Sequence, residues 1–128
     1  GASRDRRGGG RLVAVEPERL ARWFESLWST LNARYAGQLD SSRADWMAAL
    51  EMFRQGHGFL AVAQAVEAHS PGLAARKGVN AAAYVLRTVG RAEVWCELER
   101  QGARYADVSH SLGDLARARA QARAASSG

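Results

Sequence analysis

Two cations, Arg76 and Lys77, stand just ahead of a helical segment that carries Tyr84, Arg87 and Arg91. The stretch over residues 70–92 reads SPGLAARKGVNAAAYVLRTVGRA. Tyr84, Arg87 and Arg91 fall at i, i+3 and i+7 and therefore share a helix face. Val85, Thr88, Val89 and Ala92 form a more apolar stripe beside them. Ser70-Pro71-Gly72 halts the preceding helix, and Asn80 is a favoured N-cap for the next one. Loop cations beside a helix N-terminus, where backbone N–H groups point outward, make a phosphate site. The chemistry expected of Arg76, Lys77, Tyr84, Arg87 and Arg91 is thus polyanion binding, with nucleic acid as the ligand.

Catalytic chemistry is not expected. Asp45 stands three residues after Ser42, as in a capping box with Asp for Glu, and no second carboxylate stands at a fixed distance. His57, His69 and His110 lack a metal-ligand spacing on any one helix. Cys96 sits among Glu93, Glu97 and Glu99, whose charge disfavours a thiolate, and a single cysteine excludes an internal disulfide. No phosphate-binding glycine loop, nucleophile elbow or paired carboxylate appears. The expectation is no catalytic residue, no metal and no resident cofactor.

The elements around these residues follow a helical period throughout. A first helix starts near Pro17, a residue suited to a first turn, with Glu16 and Glu18 favourable to its dipole. Leu20, Trp23, Phe24, Leu27, Leu31 and Tyr35 run along one face, Trp28 widens it, and Gly37 ends it. A second helix follows Asp40-Ser41-Ser42, burying Trp46, Ala49, Leu50 and Phe53, with Met47 beside them. Gln55-Gly56-His57-Gly58 is a tight turn. A third helix over residues 59–68 turns Phe59, Val62 and Val66 inward. Its sequence, LAVAQAVEAH, has no Arg or Lys to read a base edge, so a major-groove helix-turn-helix is discounted. The helix opening at Asn80 continues past Gly90, which marks close packing or a kink, and stops at Gly102. Val108, Leu112 and Leu115 give a last helix over residues 105–125. Its apolar face stops at Leu115, and the RARAQAR run beyond reads as a fraying end that begins a linker.

The fold class is all-α, a compact bundle of about five helices with a disordered basic N-terminal arm. Residues 1–14 are that arm, Gly- and Arg-rich and without periodicity, and read as a linker from a longer chain. Residues 15–102 form the bundle, and 103–128 an additional helix and tail. With 47% hydrophobic residues among 128, the chain can bury a core. No apolar run is long enough to span a membrane and no secretory signal opens the chain, so a cytoplasmic setting is expected. The net charge of +5 favours polyanionic partners. It comes almost wholly from 17 Arg against one Lys, a bias that GC-rich coding also produces.

From Asp40 to Ala92 the order of motifs is DSSRADWMAAL, a glycine turn, AVAQAVEAHSP, then GLAARKG and AAAYVLRTVGRA. This order resembles the C-terminal helix-bundle domain of the RepB-like plasmid replication primases, and the first helix matches it in position and character. The resemblance covers roughly residues 19–100, and the stretch after Gly102 has no counterpart in it. It implies an accessory domain that supports primer initiation on single-stranded DNA. In such proteins the metal-binding carboxylates belong to a separate catalytic domain, whose strands and acidic motif this chain lacks. The residues carried over are Arg76, Lys77, Tyr84, Arg87 and Thr88. Tyr84 and Thr88 either touch DNA or pack against the first or second helix. A nucleoside triphosphate is a further ligand implied by the resemblance. The alternative is a docking module for a primase catalytic domain, a helicase or a relaxase, marked by an exposed patch among Trp23, Trp28, Trp46 and Trp95.

Overall fold

The computed structural model describes residues 17–35 and 40–127. The basic arm of residues 1–14, Glu16 and Gly37 lie outside the described residues. The described chain is all helix and turn: α1 (Pro17–Arg34), α2 (Ser41–Arg54), α3 (Phe59–His69), α4 (Leu73–Lys77), α5 (Ala81–Arg100), α6 (Tyr105–Val108) and α7 (Leu112–Ser127). Two 3-10 turns, Gly78–Asn80 and Ser109–Ser111, lead into α5 and α7. Five of these helices are eleven residues or longer, and they form the bundle.

The longest helix, α5, is the axis of the bundle. It packs against α2, α3 and α7, while α1 lies across α2 and α3. Its inward residues explain this position. Tyr84, Val85, Thr88, Val89, Ala92, Trp95 and Cys96 are all buried, and Gly90 and Val94 are buried on a further side. A helix that is apolar on several faces is stable only when enclosed. Phe24 of α1, Met52 of α2, Val62 and Val66 of α3 and Val89 of α5 have no exposed surface. Each contributes about 1.5–3 kcal/mol by leaving water.

Local signals set the boundaries. Asp40 caps α2, its carboxylate accepting the Ser42 N–H at 3.0 Å. This corrects the expected Ser42–Asp45 capping box, because the Asp45 side chain turns inward instead. The α2–α3 turn closes as the His57 N–H donates to the Met52 carbonyl at 3.2 Å. His57 is thus a turn residue, with its ring 5.5 Å from that of Trp23. Gly72 opens α4 with a φ of 66°, and Gly102 follows the end of α5 with a φ of 90°, both in the left-handed region open to glycine. The segment over residues 70–80 is not the expected loop, since α4 and a 3-10 turn occupy most of it. Asn80 stands at the start of α5 without a side-chain capping bond.

The C-terminal stretch departs furthest from its sequence reading. One continuous helix is replaced by α6, a 3-10 turn and α7, and the RARAQAR run is docked rather than frayed. Leu112 is buried, whereas Leu115 is 44% exposed. A Cβ at Gly90 would lie 3.3 Å from the Ala116 Cβ, so Gly90 marks the close approach of α5 and α7. Arg119 donates to both carboxylate oxygens of Glu97 at 2.6 and 2.8 Å. Arg123 pairs with Glu93 at 3.1 Å and lies over the Phe59 ring at 4.3 Å.

Candidate nucleic-acid interface

The residues singled out in the sequence separate into two places. Arg76, Lys77 and Tyr84 belong to a polar hub centred on Asp45, which is fully buried in α2. Four donors from four segments converge on its carboxylate. Trp28 Nε1 of α1 donates to Oδ1 at 2.9 Å, and Ser70 Oγ donates to the same oxygen at 2.6 Å. The Tyr84 hydroxyl donates to Oδ2 at 2.5 Å, and Arg76 Nη2 reaches Oδ2 at 3.3 Å. Arg76 also donates to Ser70 Oγ at 2.7 Å and to the Pro71 carbonyl at 3.3 Å. Lys77 Nζ sits 4.4 Å from the Tyr84 ring centroid.

A buried carboxylate is tolerated only when paired and hydrogen-bonded, and this one is both. The hub ties α1, α2, α4 and α5 together. Tyr84 is 4% exposed and bonded to Asp45 of α2, in keeping with the packing alternative. Burial, reinforced by the bond to Asp45, pushes its phenol above the ordinary tyrosine range. Thr88 is buried one turn further along α5, in keeping with the packing alternative.

Arg87 and Arg91 point elsewhere. With Trp95 and Glu99 they form an i, i+4 row along α5. From Arg91 onward this row lines a surface groove of about 860 Å³, walled by α1, α2, α5 and α6. The groove has two chemically different ends. At one, Arg54 is neutralised by Glu99, with contacts of 2.9 and 2.5 Å, and by Glu51 at 3.4 Å. The bond to Glu99 raises the guanidinium pKa and lowers that of Glu99. Elsewhere along the groove are Arg34, Arg43 and Arg91, which have no ion-pair partner among the described residues.

Aromatic rings line the same groove. Trp46 of α2 and Trp95 of α5 each meet Tyr105 of α6, with centroids 5.8 and 5.3 Å apart and planes at 67° and 82°. Trp46, on the buried face of α2 as expected, and Trp23 pack against the core and are half-buried. Tyr105 is 48% exposed. Arg43 stands three residues before Trp46 on α2, and the packing of α2 on α5 adds Arg91 and Trp95 to them. Nothing in the sequence near Tyr105 marked it as part of a site.

Other candidates are accounted for structurally. Cys96 is buried, and burial raises its thiol pKa. Burial lowers the His57 pKa. Among the described residues, no three His, Cys, Asp or Glu side chains cluster to hold a metal ion. No helix among them is long and apolar enough to cross a membrane.

The fold is thus a small all-α domain with a basic, aromatic groove. Residues 39–92 match the family described as the RepB DNA-primase C-terminal helical domain. The matched segment spans α2, α3, α4 and the first half of α5. It contains every hub residue except Trp28. No curated protein and no solved structure matches the chain.

Proposed function

We propose that this is the accessory helical domain of a plasmid-type DNA primase and that it holds single-stranded DNA template in the α1–α2–α5–α6 groove to support primer initiation. The observation that carries the reading is the grouping of Arg34, Arg43 and Arg91, all without ion-pair partners among the described residues, beside half-buried aromatic rings. Unpaired guanidinium groups bind phosphate oxygens and release counterions from the strand. Arg87, exposed one turn before Arg91, extends the cationic row. Arg76, Lys77 and Tyr84 serve the site by fixing the helices that form it. The domain makes no primers alone, because the polymerising carboxylates belong to a catalytic partner domain. A nucleoside triphosphate has the same base-and-phosphate chemistry and is the second ligand of the groove. The setting is cytoplasmic, within replication or mobilisation complexes of a mobile element.

Fluorescence anisotropy of a labelled single-stranded oligonucleotide tests this reading. Arg43→Gln with Arg91→Gln should weaken binding at low salt. The log–log salt slope should shrink by about 1.4, at about 0.7 per lost phosphate contact on a single strand. Unchanged affinity and slope would remove the groove from consideration.

A second reading is a module that docks on a primase, helicase or relaxase partner. The apolar side chains of Leu60 on α3 and Leu86 on α5, 69% and 57% exposed, favour it. Replacing both with Ser should abolish capture of the catalytic domain under this reading and leave strand binding intact under the first.

A further inference from the structure

We infer that Tyr105 is the residue that gives this groove its selectivity for single strands, by stacking on one unpaired base. The inference rests on the reading of the groove as a phosphate-binding site and deepens it.

Tyr105 differs from the other rings of the groove. Trp95 is 7% exposed, and Trp46 is half-buried, whereas Tyr105, which also lines the groove, is 48% exposed. Its orientation is fixed by the two near-perpendicular contacts with the indoles of α2 and α5. A ring held in this way loses little freedom when a base settles on it, and preorganisation of that kind raises affinity.

The cations are placed to match. Arg43 lies one turn before Trp46 on α2, and Arg91 lies one turn before Trp95 on α5, so the α2 and α5 walls each carry a guanidinium with no ion-pair partner among the described residues. A nucleotide whose base meets Tyr105 has phosphate anchors on both sides. Bases within a duplex already stack on their neighbours and cannot reach the ring without unpairing. A single strand can turn one base out at small cost, since every base has a stackable face. Phosphate contacts alone do not distinguish the two forms in this way. Tyr105 also lies beyond the segment that matches the primase family, so the family likeness does not supply this role.

The experiment measures anisotropy of a labelled oligothymidylate and of a labelled duplex of equal length with three forms of the chain: wild type, Tyr105→Leu and Tyr105→Phe. The Arg43→Gln/Arg91→Gln variant runs alongside. The leucine variant should lose roughly fivefold or more in single-strand affinity, the lower end of what one stacked base contributes. Its duplex affinity and salt slope should stay at wild-type values, and the phenylalanine variant should recover the loss. Equal losses on strand and duplex, or no recovery with phenylalanine, would overturn the stacking role. An unchanged leucine variant beside a weakened arginine variant would overturn it while leaving the groove as a phosphate site. If neither variant changes binding, the groove reading falls as well.

Discussion

Asp45 decides more of this molecule than any other side chain. Its carboxylate, without exposed surface, accepts from Trp28, Ser70, Tyr84 and Arg76, so bulk solvent does not compete for these bonds. Asp45→Ala strands three hydrogen-bond donors and leaves Arg76 without its carboxylate. The expected cost is on the order of 3–5 kcal/mol, visible as a lower urea midpoint at unchanged m-value. Asp45→Asn keeps an acceptor and should cost less. Tyr84 offers a pH-dependent check. Its pKa is raised in the folded state by burial and by the bond to Asp45. Its contribution to stability is therefore complete below the ordinary tyrosine value of 10.0 and is lost as pH rises through the raised one. Ultraviolet titration should show a late phenolate component that Tyr84→Phe removes. The sequence showed Asp45 only as a first-turn acid, because four donors from distant segments meet only once the helices have packed.

At the scale of elements, α1, α2, α3 and α5 were legible from spacing. Leu20, Phe24 and Leu31 mark α1, and Val62 and Val66 mark α3, each with an apolar face wide enough to set a period. Two elements were not legible in this way. The five residues of α4 are too few to display a period, and they follow a Pro-Gly pair that reads as a loop. The docking of α7 rests on alanines and on ion pairs with Glu93 and Glu97, partners more than twenty residues away. A run of Ala and Arg looks the same whether it is docked or free. The Arg119 bond depresses the Glu97 pKa. Its contribution is thus present above the ordinary value of 4.5 and fades as pH falls through the depressed one. Both groups are partly exposed, so removing the pair by Arg119→Gln should cost only about 0.2–1 kcal/mol. It should appear as faster amide exchange confined to α7, with a difference from wild type that shrinks at high salt. Gly90→Leu should act more strongly, since a side chain there meets Ala116. A loss of about 1–3 kcal/mol in thermal or urea unfolding is expected for such overpacking.

Across the whole molecule, the same sequence builds a buried anionic hub that fixes the helices and a cationic, aromatic groove beside it. Of the binding residues expected from the sequence, Arg76, Lys77 and Tyr84 fall in the hub, Arg91 lines the groove and Arg87 stands one turn outside it. Helical spacing showed that Tyr84, Arg87 and Arg91 share a face. It could not show that α2 covers the first of them and leaves the last at an open groove. Nor could it show that Tyr105, past a helix end, folds back between Trp46 and Trp95. The four tryptophans make the central claim directly measurable, because three line the groove and Trp28 is bonded to the hub. We would follow the four indole N–H signals by 15N-resolved NMR while adding a single-stranded oligothymidylate at low salt. Saturable shifts of the Trp46 and Trp95 signals, with that of Trp28 unmoved, are the result expected for template held in the groove. A still groove, with changes at Trp28 or at none of the four, would contradict it.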